Sequence, residues 1–344
     1  MRAHNAAFLP EMETVSELAG APVEWLEPVG GGRNSRVYHI RTAQQEFALK
    51  CYPSGADGAG ERLARETKAL TLMERHGLGA VPRLIAADPA RGFALLSWLD
   101  ASPLGRITAH DIDQAVSFLA TVGELERSPD VRELPLAREA CLSGREIERQ
   151  IEGRLARLGQ ASSEDRGLRT FLEERFRPCF ARLLHRSKGL TDAAGLDFNE
   201  TLREENRCLS PSDFGFHNCL RRQDGSLVFF DFEYFGWDDP VKLTADIMLH
   251  PATRIAPPLI AHFRRQAALI YGGDLGFCHR LRAFYTLFAM RWVLILLNEF
   301  LPEAWRRRVR AGARESWDEA KERQLERARD MLAPFEGNGD GYEI

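Results

Sequence analysis

Two short stretches of this chain gather residues able to do chemistry: Pro211-Ser212-Asp213-Phe214-Gly215-Phe216-His217-Asn218, and Asp231-Phe232-Glu233. Asp231 is the more informative. It directly follows the apolar run Leu227-Val228-Phe229-Phe230, so it ends a buried strand and needs a compensating partner, which a metal ion supplies. Carboxylate and amide oxygens converging from fixed loops are what Mg²⁺ takes, above all where a triphosphate concentrates negative charge. Asp213 and Asn218, each taken alone, also suit a helix cap and a turn. Leu220 to Phe232 reads as a hairpin turning at Asp224-Gly225, which would bring Asp231 beside Asn218.

A second group lies towards the N-terminus. Gly30, Gly31 and Gly32 stand between two strand-like runs, Val23 to Val29 and Ser35 to Ile40. Without Cβ atoms they would let backbone N–H groups approach phosphates, although a glycine triplet alone is an ordinary turn. Lys50 closes the strand-like run Glu46-Phe47-Ala48-Leu49-Lys50, and Glu66 lies in a helical pattern from Glu61 to His76. Alone, each would be a solvated surface residue. Their order behind the glycines gives them weight.

These residues need elements to hold them. Val81 to Ala87 and Phe93 to Trp98, turning at Asp88-Pro89, complete a small sheet-plus-helix lobe over residues 1–100. From Ile107 onwards helical periodicity dominates, so residues 101–335 form a larger, mainly α-helical lobe, with a flexible tail at 336–344. Pro129 to Asn206 reads as an inserted helical pair. Ala283 to Leu301 is long and apolar, but Arg291, Asn298 and Glu299 make it a core helix and not a membrane span. The fold class is α+β.

Taken together, the pieces resemble the protein-kinase-like superfamily, and Asp-x-x-x-x-Asn followed by Asp-Phe-Glu looks most like its aminoglycoside/choline kinase branch, over about residues 23 to 300. The resemblance implies a bilobal fold with ATP bound between the lobes. Lys50 would clamp phosphates and Glu66 would orient Lys50. Asp213 would accept the proton of the substrate hydroxyl, and Asn218 and Asp231 would hold Mg²⁺. A hinge at roughly Ser97 to Asp100 would offer backbone groups, Ser97 and Leu99 among them, to adenine. Asp246 would brace the catalytic loop. One departure stands out: the family usually has His two residues before the catalytic Asp, and here that position is Pro211. An active enzyme with a differently braced loop is expected. The alternative is a nucleotide-binding pseudokinase acting as a regulatory or interaction module. His217 is read as structural, outside the metal site, and Trp237-Asp238-Asp239 as either a substrate contact or a helix cap.

Composition narrows the partners. The 344 residues are 44% hydrophobic and 28% charged with a formal charge of −4, which gives no reason to expect nucleic acid or an anionic membrane. Six scattered cysteines without a C-x-x-C pair suggest neither zinc nor a disulfide framework, and fit a reducing cytoplasm. Met1 to Glu13 lacks the apolar core of a signal peptide. Between Val241 and Arg310, Lys242 and ten arginines outnumber Asp246, Asp274, Glu299 and Glu303. A polycationic aminoglycoside would call for the reverse. The expected acceptor is therefore a hydroxyl on a neutral or anionic sugar-like metabolite, with Arg254, Arg282 and Arg291 as anion contacts.

Overall fold

The computed structural model describes residues 10–29, 35–52, 58–310, 313 and 315–337. Along the chain run α1 (Met12–Ala19), β1 (Val23–Val29), β2 (Arg36–Thr42), β3 (Glu46–Cys51), α2 (Ala59–Arg75), β4 (Leu84–Asp88), β5 (Phe93–Ser97) and β6 (Ala101–Pro103). Then follow α3 (Ala109–Glu124), α4 (Gly144–Ala161), α5 (Arg166–Thr170), α6 (Arg177–Ala193), β7 (Cys208–Ser210), β8 (Cys219–Arg222), β9 (Leu227–Phe229) and β10 (Gly236–Asp238). The chain closes with α7 (Pro240–Leu249), α8 (Pro257–Ile270), α9 (Phe277–Leu296), α10 (Pro302–Arg310) and α11 (Trp317–Leu332). The class is α+β, as expected.

The described residues fall into two compact units, the first drawn from Met1–Ser102, Leu220–Glu233 and Arg306–Arg314, the second from Pro103–Cys219, Tyr234–Trp305 and Glu315–Ile344. The first unit thus takes in two segments beyond residue 103. The hairpin of β8 and β9 pairs with β6 in a three-stranded sheet, and the Phe229 N–H donates to the Ala80 carbonyl at 2.8 Å. Those bonds draw Asp231 and Glu233 into the first unit.

In that unit a five-stranded antiparallel sheet runs in the order β1-β2-β3-β5-β4. Alternation puts Tyr38 and Ile40 of β2 and Phe47 and Leu49 of β3 into one apolar core with Leu95. Val15 of α1 joins the same core. The first helix was not expected, because eight residues with one fully buried side chain give no readable period. On α2, Leu63, Glu66, Leu70 and Met73 are buried at helical spacing, so Glu66 sits on the helix's packed face.

The second unit is organised around α9, which packs against α4, α6, α7 and α11. Its length and hydropathy would suit a membrane span, yet 83% of its most apolar window is buried inside the protein. Arg291 within it is held by Gln150 (2.9 Å) and Glu139 (2.6 Å). Since α4 and α6 pack on this helix, the segment expected as an insertion is part of the core. Glu336 is held bidentately by Arg175 at 2.7 and 2.6 Å, so the chain is anchored through the start of the expected tail; residues 338–344 lie outside the described residues. All six cysteines are free thiols.

Candidate active site

In the first unit, Lys50 sits near the end of β3 between Val37 of β2 and Ala94 of β5. Its side chain is only 7% exposed, and an isolated ammonium there would cost several kcal/mol. Carboxylates offset that cost: Nζ lies 2.8 Å from Glu66 and 2.5 Å from Asp231, with Glu233 at 3.9 Å. Burial alone would lower the Lys50 pKa, but Asp231 and Glu66 together raise it well above its ordinary value. Lys50 stays charged across the physiological range.

Glu66 is fixed by more than Lys50. The Tyr52 hydroxyl donates to it, as does the Phe232 backbone N–H at 3.3 Å. The Lys50 ammonium also lies 5.2 Å from the centroid of the Tyr52 ring. Tyr52 was not singled out in the sequence; its place two residues after Lys50, just past the end of β3, was the available signal. Arg62 faces Glu233 at 3.7 Å. Glu66, Asp231 and Glu233 thus set three carboxylates against two cations. Burial first, then the neighbouring Asp231, push the Glu233 carboxyl up to about 7.

Asp231 has φ 72°, a left-handed conformation that costs a non-glycine residue about 1 kcal/mol or more. The hairpin holds it there: Asp224 accepts from the Ser226 N–H at 2.9 Å, and Gly225 takes φ 85° at the turn. The surplus negative charge and the hard oxygen of Asp231 suit a divalent cation such as Mg²⁺.

In the second unit, β7 leads into Pro211 and Ser212, the latter at φ 67°, before Asp213. The loop then closes in a single 3-10 turn, Phe216–Asn218. The Asn218 side-chain Nδ2 donates to the Asp213 carbonyl at 2.9 Å, which fixes the amide and turns its oxygen the other way, a donor suited to the same class of cation. Phe214 stacks on Phe118 with centroids 5.4 Å apart, anchoring the loop from beneath. His217 Nε2 lies 3.1 Å from Asp213 Oδ1, and His250 Nε2 lies 3.5 Å from the same oxygen. A Cβ on residue 215 would come within 3.1 Å of the His217 ring, so glycine there keeps the imidazole seated.

The remaining expected site residues are placed as follows. Gly30, Gly31 and Gly32 lie outside the described residues. The Ser97 N–H donates to the Arg83 carbonyl and its hydroxyl accepts from the Arg83 N–H, both at 2.9 Å, while the Leu99 carbonyl accepts from Ala101. Asp239 caps α7 by accepting from the Val241 N–H, and the Trp237 indole donates to the Val131 carbonyl, so this motif serves structure. Asp238 and Asp246 clasp the buried Lys242 at 3.0 and 3.1 Å. Of the arginines expected to meet an anion, Arg254 and Arg282 are exposed and Arg291 is engaged by Glu139 and Gln150. A cavity of about 470 Å³ in this unit is lined by Asp197, Glu200, Glu205 and Asp274 against Arg203 and Arg280. The cationic surplus of the segment therefore does not carry over into this cavity.

Solved structures of similar fold include small-molecule kinases. Spectinomycin phosphotransferase in complex with ADP and spectinomycin matches with a TM-score of 0.58 and 14% identity, over 93% of this chain and 97% of that one. Ethanolamine kinase from Plasmodium vivax gives 0.55 and 13%, over 91% and 85%. Choline kinase LicA from Streptococcus pneumoniae gives 0.53 and 16%, over 94% and 97%. No curated protein matches the chain in sequence. The family model for the phosphotransferase enzyme family matches residues 25–242, well over half of the chain, and the protein belongs to that family.

Proposed function

We propose that the protein is an ATP- and Mg²⁺-dependent kinase that transfers the γ-phosphoryl group to a hydroxyl of a small metabolite. The observation that carries this reading is the buried Lys50, 2.8 Å from Glu66 and 2.5 Å from Asp231. It pairs a fixed cation for phosphate oxygens with an acidic oxygen for metal. The spectinomycin kinase structure holds ADP, which supports a nucleotide as the ligand of this cluster.

In this reading Lys50 neutralises the phosphates, and Glu66, fixed by Tyr52 and Phe232, keeps Lys50 in place. Asp231 and Asn218 are the oxygen donors for Mg²⁺, which when bound draws off negative charge developing on the transferred group. Asp213 takes the proton from the acceptor hydroxyl as its oxygen attacks the γ-phosphorus and the bond to the β-phosphate oxygen breaks, releasing ADP. A sugar-like acceptor remains in scope, but its expected neutral or anionic character loses its carriers, since Arg291 is engaged elsewhere and Arg254 and Arg282 are exposed.

An ADP-release screen across neutral, anionic and cationic hydroxyl compounds, run with Mg²⁺ and ATP, tests the proposal. Acceptor-dependent ADP formation is expected with at least one class. ATP binding without turnover on any acceptor would instead favour the pseudokinase reading.

A further inference from the structure

The family's histidine before the catalytic Asp is Pro211 here, so the loop has to be braced by something else. A line of side chains within the second unit reaches Asp213. His250, just past the end of α7, lies with its Nε2 3.5 Å from Asp213 Oδ1. Its ring stacks on His217 at 3.6 Å and 5° between planes, and packs perpendicular to Trp292 at 4.6 Å and 83°. The Trp292 indole N–H in turn donates to Asp246 Oδ1 at 2.7 Å. Asp246 is tied to Lys242 at 3.1 Å.

Hydrogen-bond partners assign the proton on each ring. The Ala252 N–H donates to His250 Nδ1 at 3.3 Å, so in the neutral ring the proton sits on Nε2, facing Asp213. His217 Nδ1 is buried with no hydrogen-bond partner. A proton there would be an orphaned buried donor, whereas on Nε2 it is received by Asp213. The His217 imidazole therefore donates to Asp213 Oδ1 at 3.1 Å, and the His250 Nε2–H faces the same oxygen at 3.5 Å. The same assignment weighs against a transition-metal site at Asp213, His217 and His250, whose ligand atoms lie within 4.8 Å of one another. A metal needs the Nε2 lone pairs, which would move one proton against the Ala252 N–H and leave the other unsatisfied.

Resting on the kinase reading of Asp213, we infer that His250, set by Trp292 and Asp246 and stacked on His217, is a positioning residue for the catalytic carboxylate and does the bracing for which the family uses the loop histidine. It acts through Asp213 and touches neither nucleotide nor phosphate in this scheme.

The test is steady-state ADP formation from Mg²⁺-ATP with the best acceptor of the screen, or with water as acceptor if none is found. His250→Ala is expected to lower kcat about tenfold to a hundredfold while KM for ATP stays within twofold. His250→Gln, whose amide N–H replaces Nε2–H, restores most of the loss, and Trp292→Phe gives an intermediate rate. A kcat within twofold of wild type in His250→Ala would overturn the inference. So would equal losses in His250→Ala and His250→Gln, or stoichiometric zinc retained by the purified protein and lost in His250→Ala. If the wild-type protein neither binds nor turns over ATP, the kinase reading fails separately. Imidazole ¹⁵N NMR then decides the positioning claim. A neutral His250 with its proton on Nε2 and a resonance that moves in Asp213→Asn supports it, and a proton on Nδ1 overturns it.

Discussion

Around Lys50 the protein buries charge against charge, whereas around Asp213 it surrounds a partly exposed carboxylate with two imidazoles. The Lys50 side chain is 7% exposed and faces Glu66 and Asp231; the Asp213 side chain is 33% exposed and faces His217 and His250. In the proposed kinase the contrast follows from what each group has to do. A lysine that holds phosphates keeps one protonation state throughout, so paired carboxylates that raise its pKa serve it. A base must gain and lose a proton in every cycle, and a permanent cation at contact distance would hold it too acidic. Imidazole N–H groups orient the carboxylate without imposing that charge.

Removing the fixed charge should hurt most. Lys50→Ala leaves Glu66, Asp231 and Glu233 clustered, with Arg62 facing Glu233 at 3.7 Å. A loss of about 3–5 kcal/mol in unfolding free energy is expected, the range for breaking a buried pair. Urea denaturation measures it, and a loss below about 1 kcal/mol would mean that Lys50 is solvated and the cluster loose. Next in size is Asp231→Ala. Mg²⁺-ATP at about a hundred times its Kd should stabilise the wild-type protein by about 2.7 kcal/mol. In the variant that gain is expected to vanish, and a thermal shift equal to wild type would remove Asp231 from the metal site.

Smaller still is the effect expected at Glu139, in the ion network that holds Arg291 on the other side of the comparison. Burial would raise its carboxyl, but Arg291 and Arg154 win and hold it at about 2 against an ordinary 4.5. With the folded pKa depressed, its stabilisation is complete above about 4.5 and is lost as pH falls from there towards 2. The side chain is 46% exposed, so solvent screens the pair and keeps the effect modest. Glu139→Gln should be less stable than wild type at pH 7, with the difference narrowing on acidification through that window. A constant difference from pH 7 to pH 3 would assign the loss to packing.

The first half of the comparison was largely legible in the sequence. Lys50 and Glu66 lie on a strand and a helix whose periods are plain, and Asp213, Asn218 and Asp231 are tied by short local spacings. The second half was legible only in part. His250 is separated from Asp213 by the whole of β8, β9, β10 and α7, and Trp292 lies in the mostly apolar part of α9, so no local pattern links them. The expectation that Asp246 braces the loop gains a physical route through Trp292 and His250, neither of which was singled out. The arginine surplus misled because composition does not say which way a side chain points: Arg291 turned inward to Glu139 and Gln150, while Arg254 and Arg282 turned to solvent. The hairpin's allegiance to the first unit was equally hidden, since it depends on bonds such as Phe229 to Ala80 across distant sequence.

The division of labour between fixed charge and movable proton is tested most directly in Asp213→Asn, by measuring Mg²⁺-ATP affinity and single-turnover phosphoryl transfer on the same preparation. Affinity within twofold of wild type with transfer slowed by about 10²- to 10⁴-fold is the expected result. Transfer at the wild-type rate, or affinity and transfer lost together, would contradict it.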